Sequence, residues 1–217
     1  MHPDARVTNP MRSADQLRER TILSALDEAA ATLPAGSVDV PADASTSSGY
    51  AIGAAAERDL LERLRERWNL PVVSSSLAAV DALHAYGIER VSLVHPAWFE
   101  VEASELGAGY FCSQGFDAVA TRADSLPHDP AEVRPDDVTD WVVAHLDDRA
   151  DAVILGGNGF LAARAIEPIE RRTGVLVLEA NQVLLWAILR ERHTALEITG
   201  YGRLFSEPAP GSVPNTA

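Results

Sequence analysis

At 217 residues the chain can bury a sizeable core, as one large α/β domain or as two small lobes sharing an interface. Its formal net charge is −14 and all 18 basic residues are arginine, which argues against nucleic acid and against a membrane surface as partners. The single cysteine, Cys112, excludes an internal disulfide and a cysteine-only metal cluster, and with no run near the ~20 apolar residues of a membrane span and no signal-peptide layout, the expected location is cytoplasmic.

From Ser13 the pattern S-A-D-Q offers a capping box, followed by a helical stripe of Leu17, Leu23, Leu26, Ala30 and Leu33 that stops at Pro34, Ala35 and Gly36. A strand is expected over residues 37–44. Pro41 removes one ladder donor from it, so the strand lies at an edge or is irregular. The run ASTSSGYAIG, residues 44–53, reads as the turn from this strand into a helix whose face is Leu60, Leu61, Leu64 and Trp68. A short strand over 70–73 leads to Ser74, Ser75 and Ser76, then to a helix with Leu77, Val80 and Leu83.

The second half repeats this alternation. A strand over 90–95 runs into Pro96, a helix from about Phe99 ends before Gly115, and a strand follows over 116–121. Residues 122–135 read as a loop. Asp136 and Asp137 favour a helix start ahead of Val138, Trp141, Val142 and His145. The apolar strand DAVIL breaks into Gly156, Gly157, Asn158 and Gly159, a helix closes at Gly174, and a last strand over 175–178 enters Asn181, Gln182 and a final helix.

Strands alternating with helices at this spacing argue for α/β architecture with parallel sheets. A weak internal echo, VDVPADASTSSGYAIG against DAVILGGNGFLAA and PVVSSS against LVLEANQ, suggests two pseudo-symmetric lobes. The expected divisions are 1–88 for the first lobe, with 196–205 returning to it, 89–195 for the second, and a disordered tail over 206–217 rich in Pro, Gly and Ser.

In open parallel sheets ligands lie off the carboxyl ends of the strands. That rule gathers Ser45, Thr46, Ser47, Ser74, Ser75, Ser76, His95, Gly157, Asn158, Gly159 and Asn181 at one cleft. Each has a plainer reading beside the functional one. The serines and Asn181 are good helix caps, and a lone histidine is more often structural than catalytic. Asp43 either faces the cleft or pairs with an arginine. Gly156 to Gly159 lack the lysine of a phosphate-binding P-loop and the spacing of a dinucleotide fingerprint. The other histidines, His2, His84, His128, His145 and His193, have no ligand spacing, so no metal is expected. Tyr50 and Trp98 could wall a substrate side group or simply pack.

The ordered set RVTNP, ASTSSGYAIG, PVVSSSLAAVDAL, RVSLVHPAWFEV, DAVILGGNG, LEANQVLLW and GYGRLF resembles the aspartate/glutamate racemase superfamily, in the branch of arylmalonate decarboxylases, maleate isomerases and ectoine-utilisation proteins. The resemblance covers about residues 5–205. It implies two flavodoxin-like lobes with parallel sheets, the first lacking its opening strand here, and chemistry without cofactors. In that superfamily two cysteines flank a carboxylate-bearing carbon. By the resemblance their positions fall on Ser45 and Gly157, a tyrosine position falls on Ala97, and Cys112 matches neither and reads as core.

The resemblance therefore implies racemase, isomerase or decarboxylase chemistry on a small carboxylic acid, altered by loss of both thiols. Ser45 and His95 are the catalytic candidates; Thr46, Ser47, Ser74, Ser75, Ser76, Gly157, Asn158, Gly159 and Asn181 are the substrate-binding ones. The alternative is a catalytically inactive carboxylate-binding or regulatory protein on the same scaffold. Superfamily members often dimerise, and leucines expected to be exposed on the helix containing Leu60 and Trp68 would suit a homodimer.

Overall fold

A computed structural model describes residues 13–32, 36, 38–194 and 198–207. The RVTNP segment, the helix stop at Pro34 and Ala35, and the tail from 208 onward lie outside the described residues. Helix α1 (Ala14–Arg20) starts at the expected capping box: the Gln16 N–H donates to Ser13 Oγ at 3.3 Å, and the Ser13 N–H to Gln16 Oε1 at 3.1 Å. The leucine stripe that reads as one helix is two. Thr21 closes α1 by donating its hydroxyl to the Arg18 carbonyl at 2.7 Å, and α2 (Leu23–Ala31) begins anew.

The expected strand over 37–44 contracts to β1 (Ala42–Asp43), and the one over 70–73 to β2 (Val73–Ser74). They pair in parallel, Ala42 with Val73 and Asp43 with Ser74. Pro41 can give no N–H to the ladder, but its carbonyl still accepts from the Val73 N–H at 3.2 Å. The run at 44–53 is not a turn. Residues Thr46–Ile52 form helix α3, and Gly53, at φ 80°, bends the chain into α4 (Ala54–Trp68). On α4, Leu61 and Leu64 are buried with Val72, and Leu23, Leu26, Leu60 and Trp68 pack around them, so these leucines form a small core and are not an exposed dimer face.

Helix α5 (Ser75–Ala85) follows β2 directly. The larger sheet contains β3 (Arg90–His95), β4 (Asp117–Ala123), β5 (Ala152–Leu155) and β6 (Leu176–Glu179) in the order β4-β3-β5-β6, all parallel. Its connections run through α6 (Val101–Cys112), α7 (Pro135–His145) and α8 (Ile166–Thr173); α9 (Ala180–Glu191) and α10 (Arg203–Ser206) end the fold. Cys112, at the end of α6, is exposed rather than core.

Alternation along the strands builds a core on each face. Leu93, Ile154 and Leu178 point to one side, against Val80, Leu83, Phe111 and Val183. Val94, Val153, Leu155 and Val177 point to the other, against Val138, Val142, Ile166 and Ile169. The two lobes meet where α5 packs on α9 and α3 on α6. These contacts turn the carboxyl ends of both sheets toward each other. Strand order reverses between β3 and β5, the position at which open parallel sheets place a ligand crevice.

Candidate functional site

Four strand ends and the helix starts after them supply the polar groups of this crevice. After β1, Ser45 adopts extended angles (φ −146°, ψ 92°) and caps α3: its Oγ accepts from the Ser48 N–H at 3.3 Å and shares a hydrogen bond of 2.7 Å with Ser48 Oγ. After β5, Gly157 donates its N–H to Thr46 Oγ1 at 3.0 Å, and Asn158 Oδ1 accepts from the Thr46 N–H at 3.2 Å. The Asn158 amide also donates to Ser75 Oγ and to Asn181 Oδ1, both at 3.0 Å. One asparagine thus ties together the ends of β1, β2, β5 and β6.

Asn181 answers with its own amide, which donates to the Asn158 carbonyl and to Glu179 Oε1, each at 3.0 Å. Ser75 Oγ donates on to the Asp43 carbonyl at 3.3 Å, and Ser76 Oγ to the Thr46 carbonyl at 3.2 Å. Ser45, Ser47 and Asn158 are half-buried, and Gly159 and Asn181 are exposed, so the cluster faces solvent on one side. Beneath it a cavity of about 10 Å³, lined by Thr46, Ser75, Ser76, Gly156 and Glu179, has room for about one water.

Two expected members stand apart. Ser74 is buried and lines a different, open cleft of about 640 Å³ between α4, α5 and α9. His95 ends β3 as expected, but only 1% of it is exposed. Its ring stacks on Phe99, with centroids 5.0 Å apart and planes 6° apart, and meets the Tyr50 ring edge-on. Burial pushes its pKa down to about 4, so it is a neutral imidazole at ordinary pH, and among the described residues Nδ1 has no partner. Asp43 forms no ion pair among the described residues, and burial raises its carboxyl to about 6.

Sequence reasoning missed Glu179. It caps α9, accepting from the Asn181 and Gln182 N–H groups at 2.9 and 3.0 Å, while the Gln182 side chain returns to the Glu179 N–H at 3.2 Å. Burial raises its carboxyl to about 7 against these donors. The available signal was its position, since LVLE puts a carboxyl at the end of an otherwise apolar buried strand. Position 157 is equally telling. Gly157 has φ 89°, and a Cβ there would lie 3.2 Å from Pro96 and 3.4 Å from Phe99.

The family model for arylmalonate decarboxylase matches residues 14–205. The chain belongs to the arylmalonate decarboxylase family. It is 29% identical to arylmalonate decarboxylase of Bordetella bronchiseptica over 75% of this chain and 69% of that one. It is 28% identical to maleate isomerase of Pseudomonas putida over 83% of this chain and 74% of that one. Among solved structures, the maleate isomerase Iso from Pseudomonas putida S16 superposes with a TM-score of 0.77 at 24% identity, over 91% of this chain and 81% of that one.

Its α/β fold with parallel sheets is the fold of these relatives. Membership of the family places this chain within the isomerase- and decarboxylase-type branch of the racemase-like superfamily. No helix among the described residues is long and apolar enough to cross a membrane.

Proposed function

We propose that the chain binds a small carboxylic acid at the cluster of Ser45, Thr46, Ser75, Asn158 and Asn181, and acts on it by cofactor-independent decarboxylase- or isomerase-type chemistry. The observation that carries this reading is the convergence of neutral polar groups on the Asn158 side chain, which accepts from the Thr46 N–H and donates to Ser75 Oγ and Asn181 Oδ1. Proton removal or loss of carbon dioxide beside a carboxylate leaves charge spread over its oxygens, and such charge is held by hydroxyls and amides fixed in advance. These groups are hydrogen-bonded to one another across the two sheets. A carboxylate entering the crevice would take over those bonds, and Ser45 and Ser47 stand half-buried at its edge.

The proton carrier is the altered part of the chemistry. The only cysteine is exposed at the end of α6, and a serine such as Ser45, with only serine hydroxyls as side-chain partners, is a weak acid and a weaker base. His95 is enclosed and neutral. Glu179, near half protonation at neutral pH and bonded to Asn181, is the titratable side chain joined to the cluster by a side-chain hydrogen bond. The test is incubation with maleate, aspartate, glutamate and arylmalonates in D2O, following exchange at the α-carbon and release of carbon dioxide. Turnover that falls in Ser45→Ala supports the reading. Binding without exchange supports the second one, a silent carboxylate-binding protein, which Gly157 favours because a reacting side chain there would be strained by the positive φ and would crowd Pro96.

A further inference from the structure

Beneath α3 lies a buried acid that the chemistry above does not use. Glu57, on α4, is 2% exposed. Its Oε2 accepts from Tyr110 Oη at 2.5 Å, and among the described residues Oε1 has no partner and no cation pairs with the carboxyl. The carboxyl sits directly under Gly49. A Cβ at that position would lie 2.7 and 2.8 Å from its two oxygens and 2.4 Å from Ser76 Oγ, so the acid and the serine share one small space. Ser76 in turn donates to the Thr46 carbonyl in the first turn of α3.

We propose that Glu57 is a positioning residue of the candidate site: as a carboxylic acid clamped by Tyr110 it supports Ser76 and, through Ser76, the first turn of α3. The chemistry follows from the surroundings. A buried carboxylate with one bare oxygen and no cation is costly, whereas the protonated form places a neutral group against Ser76 under Gly49. The groups facing it are Tyr110 from α6, Tyr50 from α3, Ser74 and Asp43 from the small sheet, and Arg58 on its own helix. Burial is the dominant influence and raises the carboxyl to about 7; Asp43 adds to the rise, while Tyr110, Ser74 and Arg58 oppose it.

Loss of that proton would put a negative charge behind Thr46 and weaken an anion held in front of it. This consequence rests on the carboxylate reading above; the positioning role does not, and two measurements separate them. In the first, backbone amide shifts of Gly49, Ser76 and Tyr110, which surround Glu57 and make no hydrogen bond to Glu179, are followed from pH 5 to 9 in the unliganded protein. They should titrate together near pH 7, lose that step in Glu57→Gln, and move to higher pH in Tyr110→Phe, which removes a bond favouring the ionised form. A step unchanged in both variants, or absent from the parent, overturns the proposal. In the second, maleate and phenylmalonate affinity should fall about tenfold across the same range and stay level in Glu57→Gln. Failure of either acid to bind at any pH sinks the carboxylate reading and leaves the amide titration to decide the role of Glu57.

Discussion

Ser45 and Gly157, the two positions that the family resemblance pairs with cysteines, differ sharply in what they can accept. Ser45 has extended backbone angles open to any residue, so Ser45→Cys changes only an oxygen to a sulfur at the cap. Gly157 has φ 89° and faces the Pro96 ring. A side chain there incurs the left-handed penalty of about 1–2 kcal/mol and must also displace that ring. Gly157→Ala should therefore lower the thermal midpoint by several degrees, at roughly 2–4 °C per kcal/mol for a chain of this size, while Ser45→Cys stays within about 2 °C of the parent. Differential scanning calorimetry of the two variants checks this. Equal midpoints would show that the 156–159 segment relaxes around a side chain, and a reacting group at 157 would become feasible.

Elements were legible where burial and periodicity agree. The strand over 90–95 is β3 to the residue, because RVSLVH is bounded by a charged start and Pro96, and DAVIL and LVL are apolar runs that only a doubly covered sheet can bury. Illegible elements were those decided by tertiary contact. ASTSSGYAIG has turn composition, yet it folds as α3 because Tyr50 is buried against Tyr110 and Phe111 of α6, Ala51 is buried with its carbonyl hydrogen-bonded to Arg18 of α1, and Ser45 caps the start. The site divides in the same way. Placement after a strand brings Thr46, Ser75, Asn158 and Asn181 together, but it could not show that the Ser74 hydroxyl is buried beside Glu57 or that the ring of His95 turns into the core. The cap on α9 carries a prediction at this scale. Glu179 satisfies two backbone donors in a fully buried position, so Glu179→Ala should cost about 1–3 kcal/mol, read as a lower urea midpoint with an unchanged slope. Ser13→Ala, at an exposed cap on α1, should cost no more than about 1 kcal/mol. A smaller effect at Glu179 than at Ser13 would mean that water or a neighbouring group replaces the lost carboxyl.

Across the whole molecule, buried titratable groups make stability depend on pH in an unusual direction. Asp43, Glu57 and Glu179 titrate near 6, 7 and 7 in the folded chain, against 3.8 for aspartate and 4.5 for glutamate elsewhere. Between about pH 4 and 7 the unfolded chain has released these protons and the folded chain has not, so the stability they contribute is complete in acid and lost as pH rises through 6–7. His95 runs the other way. Its pKa falls from 6.5 to about 4, so its contribution is complete above 6.5 and lost as pH falls toward 4. Three carboxyls against one imidazole leave a net decline from pH 5 to pH 8. Glu57 and Glu179 alone account for a decline on the order of a few kcal/mol at roughly 1.4 kcal/mol per pKa unit. The carboxyl of Asp147, held down near 2 by Arg149, titrates below this window. Self-repulsion of a chain with net charge −14 also grows with pH, but it acts through solvent and is suppressed in 1 M salt, where the Debye length is about 3 Å. Thermal midpoints measured at pH 5, 6, 7 and 8 in 1 M salt should still fall toward alkaline pH, and the fall should shrink in Glu57→Gln. A flat profile at high salt would assign the whole dependence to surface charge and remove the buried carboxyls from the account.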